Sequence, residues 1–167
     1  MNTAVDQFFS FVESERTGHV KRLRFAALMC ILILALLYRT EWLLRPGLLI
    51  LFAGQAGVAM VLFVRSQQLR KTLHSRQIGA IQEDEIAAWF EGEKSFVRRL
   101  GLFETTCHIG GFAVLGYEFW LASRSLFVAL AIGIVYPAAM YFGIIRKRNL
   151  KSVRQLTAKK QQFATMF

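Results

Sequence analysis

Three ionisable side chains interrupt one apolar segment of this chain. Residues 101–122, GLFETTCHIGGFAVLGYEFWLA, are long enough to cross a bilayer but contain Glu104, His108 and Glu118. His108 follows Glu104 by four residues and Glu118 follows it by fourteen, which places all three on one face of a helix with about 3.6 residues per turn. A charge at mid-bilayer costs at least about 2.5–3.5 kcal/mol, so this polar stripe should face other helices or water.

Carboxylates and an imidazole on one helix face can carry protons or ions, or they can join helices by hydrogen bonds and ion pairs. Glu104 and His108 are close enough along a helix for a local hydrogen bond. Glu118 lies near the outer end of its segment, where an arginine could form an ion pair with it, and the candidates are Arg39, Arg45 and Arg124. A pathway lined by the stripe and a packing role for it both remain open from the sequence.

The stripe contains too few ligands for a metal or haem site. A single histidine in the apolar segments excludes a bis-histidine haem, and Glu104 with His108 does not complete a metal site. The chain has no glycine-rich phosphate loop, no HExxH or GxSxG motif and no metal-spaced cysteine set. The sequence therefore predicts no catalytic residue, no metal and no cofactor.

Composition indicates a membrane protein. Of the 167 residues 54% are hydrophobic, yet the formal net charge is +10. The hydrophobic fraction exceeds what the core of one soluble domain of that length requires. The apolar residues concentrate in four segments, each predicted to be a transmembrane helix: residues 25–38 continuing toward Leu44, and residues 47–64, 102–122 and 126–145. No small-residue cleavage site follows the first segment, so we expect it to remain as an anchor.

The distribution of Lys and Arg predicts the orientation. Eighteen of the 21 lie before the first segment, between the second and third, or after the fourth, and only three lie in the two short connections on the other side. By the positive-inside rule, both termini and residues 65–100 are cytoplasmic and the protein is integral to the plasma (inner) membrane. The basic residues therefore favour contact with anionic lipid of the cytoplasmic leaflet, especially Arg146, Lys147 and Arg148, rather than with nucleic acid.

The fold class predicted is an all-α integral membrane protein, a four-helix transmembrane bundle with a cytoplasmic helical hairpin and amphipathic terminal helices. Its parts are an amino-terminal helix (1–24), transmembrane helices 1 and 2 (25–64), the hairpin (65–100), transmembrane helices 3 and 4 (101–145) and a basic carboxyl-terminal helix (146–167). The terminal helices could lie on the lipid surface or pack against the hairpin. In the hairpin we expect a break near Gly79 and exposed Trp89 and Phe90 that could bind a partner protein.

Small residues predict close packing between the helices in the membrane, because they let backbones approach each other. The positions predicted to do so are Gly54, Gly57, Gly111, Gly133 and Gly143. If these faces exceed what one bundle uses, the remainder would serve a homo-oligomer or another membrane protein.

Three kinds of function follow from these features. The first is a small non-catalytic membrane protein that acts by association, as a subunit, assembly factor or scaffold of a membrane complex. The second is a homo-oligomeric channel or proton or ion pathway lined by transmembrane helix 3. The third is a membrane enzyme acting on a lipid or quinone.

Overall fold

The protein folds into long helices. The computed structural model describes residues 3–40, 45–75 and 83–165, and in these ranges the chain forms four helices and no strand. They are α1 (Thr3–Arg39), α2 (Arg45–Ser75), α3 (Glu83–Ser123) and α4 (Leu126–Ala164). The break expected near Gly79 lies outside the described residues.

Each helix continues without interruption from an apolar part into a basic part. We call residues 25–39, 45–64, 101–123 and 126–145 the apolar half, and residues 3–24, 65–75, 83–100 and 146–164 the basic half. The hairpin and the terminal helices are thus extensions of the same four helices. Helix α1 packs along α2, α2 along α3, and α3 along α4.

The core of the basic half decides where the terminal helices lie. Phe8 and Val12 of α1 are buried against side chains of the other three helices, among them Leu69, Phe90 and Leu156. Phe8 makes edge contacts with the rings of Trp89, Phe90 and Phe163. The sequence allowed the terminal helices to lie on the lipid surface or to pack against the hairpin. In the structure both pack against the hairpin.

The surface of the apolar half is apolar. Among the described residues, every large hydrophobic side chain that is strongly exposed lies in this half except Leu150. Phe127 is 83% exposed and Phe25 is 63% exposed. The interior of the apolar half contains a hydrophobic cluster, smaller than the core of the basic half, that is formed by Ile33, Leu48, Leu51 and Leu115.

Two of the helices are each long and apolar enough to cross a membrane, namely α2 and α4. The uncharged run in α1 before Arg39 is shorter, and the run in α3 contains the polar stripe. Helix α4 passes through Pro137 with a π-helical turn on either side, Ala131–Val135 and Tyr141–Ile145. Proline lacks the backbone N–H that a regular α-helix uses, and neighbouring irregular turns accommodate this loss.

A two-residue connection joins α3 to α4. Arg124 adopts a positive φ of 56°, and its guanidinium group lies 5.8 Å from the ring centroid of Trp120. Ser125 then caps α4, because its hydroxyl accepts a hydrogen bond from the backbone N–H of Val128 at 3.4 Å.

Candidate functional site

Glu104 joins three helices. Its Oε2 atom accepts hydrogen bonds from Arg22 of α1, at 3.5 Å, and from Arg148 of α4. Only 9% of Glu104 is exposed. Two guanidinium groups therefore share one carboxylate oxygen, and positive charge exceeds negative charge at this point. Burial, and then the positive charge of Arg148, lower the pKa of Arg22.

His108 is hydrogen-bonded on both ring nitrogens. Nδ1 lies 2.7 Å from the backbone carbonyl oxygen of Glu104, and Nε2 lies 3.0 Å from the side-chain amide nitrogen of Gln55. A carbonyl oxygen only accepts, so Nδ1 carries the proton and Nε2 accepts from the amide of Gln55. This geometry fits a neutral imidazole. The contact between His108 and Glu104 uses the backbone of Glu104 and leaves its carboxylate to the arginines.

Glu118 contacts the amino-terminal end of α2. Its Oε1 accepts a hydrogen bond of 2.9 Å from the backbone N–H of Gly47, and only 4% of the residue is exposed. The N–H groups of a first helical turn have no partner within the helix, and the helix dipole favours a negative charge there. The other oxygen, Oε2, is buried and has no hydrogen-bond partner within the described ranges.

The arginines predicted to pair with Glu118 lie at the same end of the molecule. Arg39 ends α1 and Arg45 begins α2, while the guanidinium of Arg124 lies against Trp120. Ion pairs between Glu118 and these arginines stay predictions. The sequence did not indicate that a backbone N–H group would bind this carboxylate.

The predicted glycine contacts differ from one position to the next. A β-carbon at Gly54 would lie 2.5 Å from Cβ of Cys107, one at Gly57 would lie 2.9 Å from the ring of Phe103, and one at Gly111 would lie 2.5 Å from Cδ2 of Leu51. At Gly133 the nearest atom, Cα of Gly116, is 3.5 Å away. At Gly143 a β-carbon would meet no atom of the described residues within 4 Å, so the space beside this glycine is open there.

A second polar cluster, which the sequence analysis did not identify, lies in the basic half. We call Glu15, His19, Arg65 and Glu93 the Glu93 cluster. Glu93 is fully buried, with Oε1 2.6 Å from His19 Nε2 and Oε2 2.9 Å from Arg65 Nε. The ring of Phe96 lies against both His19 and Arg65.

The pKa values of the two carboxylates of the Glu93 cluster shift in opposite directions. Burial alone would raise the pKa of Glu93, but the hydrogen bond with His19 and the positive charge of Arg65 lower it. Burial raises the pKa of Glu15, and the negative charge of Glu93 adds to that rise.

The Glu93 cluster also has the side chains that a cation would need. One ligand atom each from Glu15, His19 and Glu93 lies within 4.8 Å of the others. Arg65 already supplies a positive charge to Glu93, so the cluster is complete as an ion network. The spacing of Glu15 and His19 on one helix face is visible in the sequence, whereas Glu93 is 74 residues from His19.

The side chains predicted to bind partners or lipid have different environments. Phe90 is only 1% exposed, so the expectation that it is exposed is wrong, because it belongs to the core of the basic half. Trp89 packs partly buried against that core. Arg146 and Lys147 are exposed, and Arg148 turns toward Glu104.

A cavity of about 270 Å³ adjoins Glu104 and its two arginines. All four helices contribute to its walls. Its polar lining consists of Lys21, Arg22, Gln55, Glu104 and Arg148, and its apolar lining consists of Phe25, Ala26, Val58 and Leu62.

Comparisons with protein-family models, curated proteins and solved structures gave no match for this chain. The functional interpretation therefore depends on the residues and their geometry.

Proposed function

We propose that this chain is a small non-catalytic protein of the inner membrane that acts by association, as a subunit, assembly factor or scaffold of a membrane complex. In this proposal all four helices cross the membrane through the apolar half. The basic half and both termini lie in the cytoplasm. Arg146 and Lys147 contact anionic headgroups of the inner leaflet.

The membrane placement is supported by where the exposed apolar side chains lie. A soluble protein rarely exposes a contiguous apolar surface larger than a few hundred Å². Here, among the described residues, the exposed large hydrophobic side chains lie on all four helices of one half of the molecule, and only Leu150 lies in the other half. Lipid is the surrounding that matches such a band.

The main support for the non-catalytic role is that every side chain of the polar stripe is hydrogen-bonded to another part of the bundle. Glu104 holds two arginines, His108 holds Gln55 and a backbone carbonyl, and Glu118 holds the end of α2. Each group thus joins parts of the bundle. Intramembrane polar groups used in this way stabilise helix packing.

The association itself is supported by an unused packing face. Ala139 and Gly143 are four residues apart on α4, both are exposed, and no packed atom of the described residues approaches the position of a Gly143 β-carbon within 4 Å. Such a pair of small residues lets another helix approach closely in lipid. A second copy of this chain or another membrane protein would fit there.

The experiment is native mass spectrometry of the protein extracted gently at native expression level. We expect a homo-oligomer or a fixed-ratio partner with the wild type, loss of that complex with Gly143→Leu, and its retention with Ala138→Leu, a matched change on another face of α4. A wild-type chain that is monomeric and without a partner protein would contradict the proposal.

A pathway for protons or ions is the second candidate, and the Oε2 of Glu118, which has no hydrogen-bond partner among the described residues, favours it. Glu118→Gln separates the two candidates, because glutamine keeps an oxygen for the Gly47 N–H but removes the charge. In liposomes, abolished flux with unchanged yield would favour a pathway. If Glu118→Gln forms the same complex as the wild type, and neither the wild type nor the variant shows flux, the result would favour association.

A further inference from the structure

Positive charge exceeds negative charge in the lining of the cavity of about 270 Å³. Among the described residues, Lys21, Arg22 and Arg148 line it together with one carboxylate, that of Glu104. Both arginines contact the same oxygen of that carboxylate. The Nε atom of Arg148 is buried and has no hydrogen-bond partner within the described part of the chain.

From this arrangement we propose that the cavity binds the phosphate group of an anionic phospholipid from the cytoplasmic leaflet. The inference rests on the membrane placement proposed above. Guanidinium groups bind phosphate oxygens through charge-assisted hydrogen bonds, often two at a time. Burial and the charge of Arg148 lower the pKa of Arg22 although the carboxylates of Glu104 and Glu15 oppose that shift, so a further anion would favour the charged guanidinium.

The walls of the cavity favour a lipid over a soluble anion. Phe25, Ala26, Val58 and Leu62 form an apolar side next to the charged one. Phe25 is 63% exposed and begins the apolar half of α1, so an acyl chain can follow it outward from the cavity. Inorganic phosphate would gain nothing from these apolar walls.

The depth of the cavity agrees with the position of a headgroup. Arg22, Glu104 and Arg148 each lie within about one helical turn of the boundary between the apolar half and the basic half. Arg22 and Arg148 lie on the basic side of that boundary, and Glu104 lies on the apolar side. The three charged groups therefore lie at the predicted cytoplasmic boundary. A zwitterionic lipid would bring an ammonium group toward three cations, so an anionic headgroup is preferred.

The test measures binding of phosphatidylglycerol, with phosphatidylcholine for comparison, to the full-length protein in detergent by native mass spectrometry. We expect Arg22→Gln/Arg148→Gln to weaken phosphatidylglycerol binding roughly ten-fold or more. The matched control, Arg24→Gln/Lys151→Gln, removes the same charge from exposed residues outside the cavity lining and should change binding less than about two-fold. Equal losses in the two double variants would overturn the proposal.

Glu104→Gln gives a result of the opposite sign and keeps the test decisive if the arginine variant does not fold. It frees both arginines for phosphate, so we expect tighter binding of phosphatidylglycerol. Unchanged or weaker binding in folded Glu104→Gln protein would overturn the proposal.

Inorganic phosphate alone separates the two sources of the same chemistry. We expect it to displace phosphatidylglycerol only at much higher concentration than the lipid itself. Displacement at equal concentration would overturn the lipid assignment in favour of a soluble anion.

The failures of this inference and of the proposed function differ. Release of the chain from membranes by alkaline extraction would contradict the membrane placement. A chain that stays in the membrane and binds both lipids equally would contradict the lipid site alone.

Discussion

The two halves of this molecule use the same four helices with opposite burial patterns. In the basic half, aromatic and aliphatic side chains such as Phe8, Phe90 and Leu156 are buried and most charges lie outside, with the buried Glu93 as an exception. In the apolar half, large hydrophobic side chains lie outside, while Gln55 and Glu118 are buried. The helix geometry is common to both, so the solvent proposed for each half explains the difference. Water drives apolar groups inward, whereas lipid removes that force and leaves close packing and hydrogen bonds to hold helices together.

The largest effect expected from this comparison concerns one phenylalanine in each half. Phe8→Ala should lower the free energy of unfolding by about 3–5 kcal/mol, because it leaves a cavity among Trp89, Phe90 and Phe163. Phe127→Ala, at a position 83% exposed, should change it by less than about 0.5 kcal/mol in detergent. Denaturant unfolding followed by circular dichroism measures both. Similar values for the two variants would mean that the halves do not differ in this way.

The next effect concerns the buried charge of the basic half. Glu93→Gln should destabilise the protein by about 3 kcal/mol at neutral pH, because His19 and Arg65 lose their buried counter-charge. Glu91→Gln, on the exposed side of the same helix, is the control and should have little effect.

The pH dependence follows from the lowered pKa of Glu93. A carboxyl group whose pKa is lower when folded than when unfolded stabilises the fold above its unfolded pKa, and that contribution is lost as pH falls through the folded value. In thermal unfolding, the wild type should have a higher unfolding temperature than Glu93→Gln at neutral pH. This difference should shrink as pH falls below 4.5, the ordinary pKa of a glutamate side chain. An advantage that is the same at pH 7 and at strongly acidic pH would contradict this origin.

A smaller effect should appear in the packing of the apolar half. A β-carbon at Gly116 would lie 2.7 Å from the backbone oxygen of Ala129 and from Cα of Gly133, whereas one at Gly110 would meet nothing within 4 Å. We expect Gly116→Ala to cost about 1–3 kcal/mol through overpacking, and Gly110→Ala to be neutral or slightly stabilising. Unfolding temperatures in detergent compare the two. A tolerant Gly116 would show that the approach of α3 to α4 is not what holds this half together.

Much of the fold could be predicted because its signals are local. Apolar runs and helical spacing predicted helices across the chain, and the structure has helices throughout its described ranges. Two of the four predicted spans, in α2 and α4, pass a test of length and apolar character, and the four-span bundle remains a proposal. Whether the terminal helices lie on lipid or on the hairpin could not be predicted, because an amphipathic helix suits either surface.

The candidate site was only partly predictable for a related reason. The shared face of Glu104, His108 and Glu118 follows from helical period alone. Their partners do not, since Arg22 is 82 residues from Glu104 and Gln55 is 53 residues from His108. Nor did the sequence separate Gly111, where an added β-carbon would meet Leu51, from Gly143, where it would meet no atom of the described residues within 4 Å.

The sequence by itself determined where helices form, which stretches are apolar and on which side the basic residues accumulate, because hydrophobicity, charge and helical period are properties of neighbouring residues. Only the tertiary structure decided that Glu104 holds Arg22 and Arg148, that Glu118 holds the end of α2 and that His19 is buried against Glu93. Those contacts depend on the rotation and depth of each helix against the next. Packing of side chains distant in the sequence sets both, and no local pattern specifies them.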